Sequence, residues 1–398
     1  MPRALWLLII GMAVNVTGNS FLWPLNTIYI HDHLGKSLSV AGIVLMLNSG
    51  ASVVGNLFGG HLFDKIGGYK SILLGIFITL AALIGLSIWH GWPEYIVFLT
   101  IIGFGSGIIF PAMYAMAGSV WKEGGRKSFN ALYVSQNLGV AVGSALGGIV
   151  ADYSFQLIFI ANTLLYGVFL VIAVFGYKGI KTGSSIKTNR VNDAANHLNR
   201  KNLQALFILC SGYLLCWVAY VQWSTTIASY TQKIHISLSQ YSLLWTINGA
   251  LIVIAQPILN VLLKRFAASL KVQMLIGIGI FILSFLVAAK SHAFTGLFAG
   301  MIILTIGEMF IWPAVPTVAF HLAPKGREGF YQGIVNSTAT GGRMVGPLLG
   351  GMLVDLYNMS TLFLILIGLF FIAIITTILY DKRLPAKNVV PDTVHGQM

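Results

Sequence analysis

Apolar residues fill this chain in long blocks, each able to cross about 30 Å of hydrocarbon as a helix, with short polar breaks between them. The blocks fall at about 5–30, 38–62, 70–89, 94–120, 129–151, 156–177, 203–230, 239–263, 271–290, 294–321, 330–354 and 359–380. These twelve lengths predict transmembrane helices, since lipid-facing strands would be much shorter. The longest polar break before the tail, residues 178–202, predicts a linker between an N-terminal bundle (1–177) and a C-terminal bundle (203–381). A tail (382–398) follows. The expected fold class is therefore an all-α polytopic membrane protein of two six-helix bundles.

Composition agrees with the pattern: 57% of residues are hydrophobic and 9% charged, against roughly 25% charged in soluble domains. The net charge of +13 would suggest nucleic acid in a soluble protein, but its distribution speaks for topology. With both termini in the cytoplasm, 20 of the 24 Lys and Arg residues fall inside, and only Lys36, Lys233 and Lys290 outside. Arg343 is left within a span. This asymmetry follows the positive-inside rule and predicts a multi-pass protein of the bacterial cytoplasmic membrane with no nucleic-acid partner. Cys210 and Cys216, six positions apart in the seventh span, suit apolar packing, and neither the cysteines nor the histidines have metal-site spacing.

The halves carry related marks. The fifth span holds Gly139, Gly143, Gly147, Gly148 and Asp152, and the eleventh holds Gly342, Gly346, Pro347, Gly350, Gly351 and Asp355 at matching spacing. Glycines four apart share a helix face and let another helix approach closely. Between the second and third spans, Gly60-His61-Leu62-Phe63-Asp64-Lys65-Ile66-Gly67-Gly68-Tyr69-Lys70 reads as a tight turn. There Asp64 is expected to cap or pair at helix ends, with Lys65 or Lys70 countering its charge.

This loop, the duplicated design and the twelve spans resemble the major facilitator superfamily, which implies the major facilitator fold of two pseudo-symmetric bundles. The resemblance also implies that Gly60, Asp64, Lys65, Gly67 and Lys70 form a gating latch. The tenth span, with Gly307-Glu308-Met309-Phe310-Ile311-Trp312-Pro313, is similar to the 12-span drug/proton antiporters of the lactococcal multidrug type. That similarity implies a proton-coupled exporter of lipophilic or cationic organic compounds. Two positions depart from the pattern: Leu99 stands where many such transporters carry an arginine, and Ala131–Asn137 holds no acid. Glu308 is left with an unusually large share of any coupling.

Glu308 has no charged neighbour in sequence from Ala293 to Phe320. A carboxyl group within a span costs several kcal/mol to retain there and points to ion, proton or substrate handling. Arg343 is its candidate partner in proton coupling. Asn15, Asn19, Trp23 and Asn26 follow helical spacing in the first span, and Tyr213, Trp217, Tyr220 and Trp223 do so in the seventh. With Tyr114, Trp245 and Asn248 they are the expected lining of a substrate cavity, the rings suiting organic cations.

The inferred activity is vectorial movement by alternating access, with protons as the coupling ion and no cofactor, in a chain functional as a monomer. No phosphate-binding Gly-x-x-x-x-Gly-Lys-[Ser/Thr] loop is present, and the chain reads as a transporter, not an enzyme. Proton-coupled movement of a sugar, peptide, lipid or other metabolite stays open as a second reading. A channel or membrane structural protein is the non-transporter alternative.

Overall fold

The computed structural model describes residues 1–22, 26, 29–36, 38–180, 193–236, 238–266, 269–382 and 384. The expectations for Trp23, for residues 181–192 of the linker and for nearly all of the tail lie outside the described residues. The described chain is helical, as the long apolar blocks require: a backbone in hydrocarbon must satisfy its own hydrogen bonds.

The first half comprises α1 (Arg3–Leu22), a π-helical turn (Tyr29–His33), α2 (Leu38–Ile66), α3 (Gly68–Ile88), α4 (Glu94–Val120), α5 (Arg126–Tyr153) and α6 (Phe155–Gly176). In the second half, α7 (Asp193–Tyr220) passes through a 3₁₀ turn (Val221–Ser224) into α8 (Thr226–Lys233). Then come α9 (Leu238–Phe266), α10 (Leu270–Ala289), α11 (Phe294–Ile311), α12 (Ala314–Leu322), α13 (Glu328–Leu356) and α14 (Met359–Leu379).

Local chemistry sets the breaks. Gly67 turns α2 into α3 at φ 85°, a conformation that a side chain would oppose. Pro313 stands between α11 and α12, where its missing N–H interrupts the helix. Ser154 Oγ accepts from Gln156 N–H at 3.2 Å to start α6, and Asn358 Oδ1 accepts from Thr361 N–H at 2.9 Å to start α14. Among the described residues, nine helical stretches are long and apolar enough to cross a membrane, with α7–α8 and α11–α12 each counted as one. Besides these, α9 carries the apolar stretch Leu243–Gln256, and α13 holds polar side chains such as Asn336 and Arg343.

The chain divides into two units. The first comprises Met1–Lys187 with Lys325–Thr340, and the second Thr188–Pro324 with Gly341–Met398, so α13 begins in one unit and ends in the other. Within the first unit α4 packs on α2 and α3, while α1 packs on α5 and α6. The α2–α4 contact is backbone against backbone: a Cβ added at Gly55 would lie 2.3 Å from Phe104 O. Within the second unit α10 packs on α11 and α14, and α14 on α7. Lys271 Nζ meets Asp381 Oδ1 at 2.6 Å and ties α10 to the end of α14. Cys210 and Cys216 are both buried and free.

The glycine repeat occupies equivalent registers in the two units. Added Cβ atoms at Gly139 and Gly143 would meet Ala13 O and Thr17 O of α1, while those at Gly342 and Gly346 would approach Leu214 O and Val218 O of α7. Gly147 reaches Phe21, and Gly350 reaches Gln222 and Thr226. Gly351 departs from expectation, since nothing lies within 4 Å of its Cβ position. It lines a half-open groove of about 340 Å³ with Thr225, Thr226, Pro347 and Asp355. The side-chain surroundings of Gly148 lie outside the described residues.

Candidate functional site

In the second unit, α9 and the α11–α12 break bring polar groups onto Glu308, which is 2% exposed. Asn248 Nδ2 donates to Glu308 Oε1 and, at 2.9 Å, to Thr305 Oγ1. One turn beyond Glu308, Trp312 Nε1–H donates to its Oε2 at 3.1 Å. Both carboxylate oxygens are therefore held by N–H donors, and Tyr220 also interacts with Glu308 and Asn248 through its hydroxyl. Tight partnering of this kind is what a carboxyl group needs away from water.

The Trp312 ring extends the cluster. It stacks on Trp217 with centroids 4.4 Å apart and planes 8° from parallel. Tyr213, Tyr220 and Phe281 each meet Trp312 edge-on at 5.5 Å. At the Trp217 end, the Arg343 guanidinium carbon lies 4.9 Å from the ring centroid. Gly342 makes this approach feasible: a Cβ there would stand 2.5 Å from Trp217 Cβ. Glu308 and Arg343 thus belong to one assembly, linked through two stacked indoles.

Trp223 does not join it. The expected face at positions 213, 217, 220 and 223 assumes an unbroken α-helix, but the chain tightens into a 3₁₀ turn at Val221, which shifts the register of the residues that follow. Trp223 is fully buried and packs edge-on to Phe285 at 6.3 Å. Trp245 stands beside the cluster, 6.3 Å from Tyr220, and donates to the Tyr241 hydroxyl at 2.8 Å.

The first unit holds a neutral counterpart. Tyr166 of α6 donates to Asn15 Oδ1 at 2.8 Å and reaches Asn19 Oδ1 at 3.1 Å, while Ser106 of α4 lies 3.3 Å from the Tyr166 hydroxyl. Asn15 and Tyr166 are buried, and Asn19 and Ser106 are half-buried. Asn26 is not part of this group, because it is buried and accepts from the Tyr95 hydroxyl at 2.6 Å. Tyr114 likewise stands apart, donating to Gln136 Oε1 at 3.1 Å.

At the α2–α3 turn, Asp64 Oδ1 accepts from Gly329 N–H at 2.7 Å and Oδ2 from Phe330 N–H at 2.9 Å. These are amides of the first turn of α13, so the carboxylate caps a helix start and meets the positive end of its dipole. Gly60 makes room, since a Cβ there would lie 2.3 Å from Gly329 O. Lys65 and Lys70 point to exposed positions, and the expected lysine partner gives way to backbone amides.

The sequence pattern of the Major Facilitator Superfamily matches residues 8–233 and 208–396. The chain belongs to that superfamily. It is 64% identical over 389 residues to the uncharacterized MFS-type transporter YttB of Bacillus subtilis (strain 168), covering 98% of each chain. It is 25% identical to the multidrug resistance protein MdtH of Baumannia cicadellinicola, covering 86% of this chain and 82% of the relative. Among solved structures, a bacterial homologue of the iron transporter ferroportin matches with a TM-score of 0.77 at 15% identity, covering 96% of this chain and all of that one. That likeness concerns the fold.

As a superfamily member the chain is a multi-pass membrane transporter and not an enzyme. Several groups within its clusters escape sequence reasoning. Trp312 stands in the Glu308 motif but reveals its role only once its N–H and ring are both placed. Tyr166, a hydroxyl-bearing ring in a largely apolar span, is the available signal for the neutral cluster. Gly329 and Phe330 offer none, because backbone amides carry no side-chain signature.

Proposed function

We propose that this transporter is a proton-coupled antiporter that exports lipophilic or cationic organic compounds by alternating access. The carrying observation is Glu308, the one buried carboxyl group among the described residues, joined through Trp312 to a stack of aromatic rings. A proton arriving at or leaving Glu308 changes the charge at one end of the ring assembly, and this is the differential interaction that coupling requires. Tyr213, Trp217 and Tyr220 supply the cargo surface in this reading, and Arg343 tunes it. The multidrug name of the MdtH relatives supports the cargo class.

Asp64 acts as the gate, through its hold on the first turn of α13. Residence in the bacterial cytoplasmic membrane with both termini inside rests on the 20-to-3 division of basic residues. Protons serve as the coupling ion, without a cofactor, and a monomer suffices.

The test is transport in proteoliposomes under imposed pH gradients of either sign, comparing wild type with Glu308→Gln. The wild type should accumulate an organic cation only when protons run down their gradient in the opposite direction. The variant should retain cargo exchange but lose gradient-driven accumulation. Wild-type accumulation by Glu308→Gln removes Glu308 as the proton carrier.

A further inference from the structure

The Trp217 face carries a cation of the protein's own. A guanidinium is planar, delocalised and weakly hydrated, which makes it the closest side-chain analogue of a flat organic cation. Arg343 places such a group 4.9 Å from the Trp217 centroid, at the distance where ring quadrupole and cation attract. We propose that Arg343 is a displaceable internal surrogate for cargo, and that planar, delocalised organic cations bind by taking its place on Trp217. The inference rests on the reading of the ring assembly as the cargo surface and deepens it by naming the cargo chemistry and the residue that selects it.

Three features fit displacement better than a fixed structural contact. Arg343 is an exposed residue, whereas Trp312 and Glu308 at the other end of the assembly are buried. The ring it covers is held independently: Trp217 stacks on Trp312, and Trp312 is anchored by its N–H to Glu308 at 3.1 Å. The binding face therefore persists when the guanidinium moves off, which is preorganisation. Finally, the Trp217 indole N–H is buried without a hydrogen-bond partner. Ring contacts with Trp312, Tyr213 and Tyr220 orient the indole, and its face is what the site has to offer.

Competition of this kind sets selectivity. A small, strongly hydrated cation gains less from the ring than the guanidinium does and leaves it in place. A fused aromatic cation gains stacking area in addition to charge and displaces it. A neutral ring of similar size has no cation–ring attraction to set against that of Arg343.

The experiment uses purified full-length protein in detergent at one fixed pH, with ethidium as the planar cation and binding followed by fluorescence anisotropy. Arg343→Gln removes the competitor and should tighten ethidium binding by about 2- to 30-fold, the span of one cation–ring contact. Arg343→Lys, with a more strongly hydrated head group, should fall between wild type and Arg343→Gln, and carries the test alone if the glutamine variant does not fold. Trp217→Leu should weaken ethidium binding whatever residue stands at 343. Unchanged or weaker ethidium binding in the Arg343 variants, together with a loss in Trp217→Leu, overturns displacement but leaves the cargo surface standing. No change in Trp217→Leu overturns both.

Discussion

In the first unit, α1, α4 and α6 gather Asn15, Asn19, Ser106 and Tyr166, groups that hydrogen-bond with one another and carry no charge. In the second unit, α7, α9, α11 and α13 gather Asn248, Glu308, Trp312, Trp217 and Arg343, where a buried acid and an exposed base stand at the ends of an aromatic stack. The glycine contacts beneath the two clusters share one register, Gly139 and Gly143 on α1 and Gly342 and Gly346 on α7. A duplicated scaffold has thus been given two chemistries. Packing is set by backbone approach and is preserved between halves, whereas the side chains above it are free to differ.

The largest expected difference between the clusters is in energy coupling. Glu308→Gln should reduce pH-driven accumulation of cargo in proteoliposomes by about 5- to 150-fold, the usual range of a coupling free energy, while Tyr166→Phe leaves it within about twofold. Equal losses in the two variants would erase the functional distinction drawn here.

The shared scaffold leads to the opposite expectation. Gly143→Leu and Gly346→Leu each force a side chain against a neighbouring backbone and should each destabilise the protein by about 1–3 kcal/mol, read as thermal unfolding in detergent. A large loss at one site beside none at the other would show that the register is shared without sharing its energetic role.

Asp64→Asn tests a contact with no counterpart in the corresponding second-half loop, which has no acid between Asn260 and Lys271. The substitution keeps one acceptor for the Gly329 and Phe330 amides and removes the charge facing the α13 helix start. A loss of about 0.3–1 kcal/mol should change the transport cycle rate a few-fold, with cargo affinity unaltered in equilibrium binding. Unchanged turnover would reduce Asp64 to a turn residue. The smallest effect is expected within the neutral cluster: Tyr166→Phe removes interhelical hydrogen bonds that average about 0.6 kcal/mol in membranes. A shift in unfolding temperature comparable to that of Gly143→Leu would show that this network carries far more than its individual bonds.

Helix positions were legible because hydrocarbon admits few alternatives: the apolar blocks end close to the structural breaks, and Pro313 and Gly67 mark two of them. Glu308 was legible for a related reason, since a carboxyl group in such a block is costly and needs a purpose. The repeat at Gly139 and Gly342 could also be read, because spacing on a helix predicts a shared face. Trp223 could not, because that prediction assumes an unbroken α-helix and the chain tightens at Val221.

By itself, then, the sequence determined the helical membrane class, the duplicated glycine faces and the residues whose chemistry is out of place in lipid. Only the tertiary structure decided their distant partners: Asp64 with the amides of Gly329 and Phe330, Glu308 with Asn248, Trp312 with Trp217, and Arg343 with Trp217. The physical reason is range. Hydrophobicity and helical period act between neighbours along the chain, whereas a hydrogen bond or a ring contact is fixed by angstrom-scale approach of segments tens to hundreds of residues apart, and no local pattern encodes that distance.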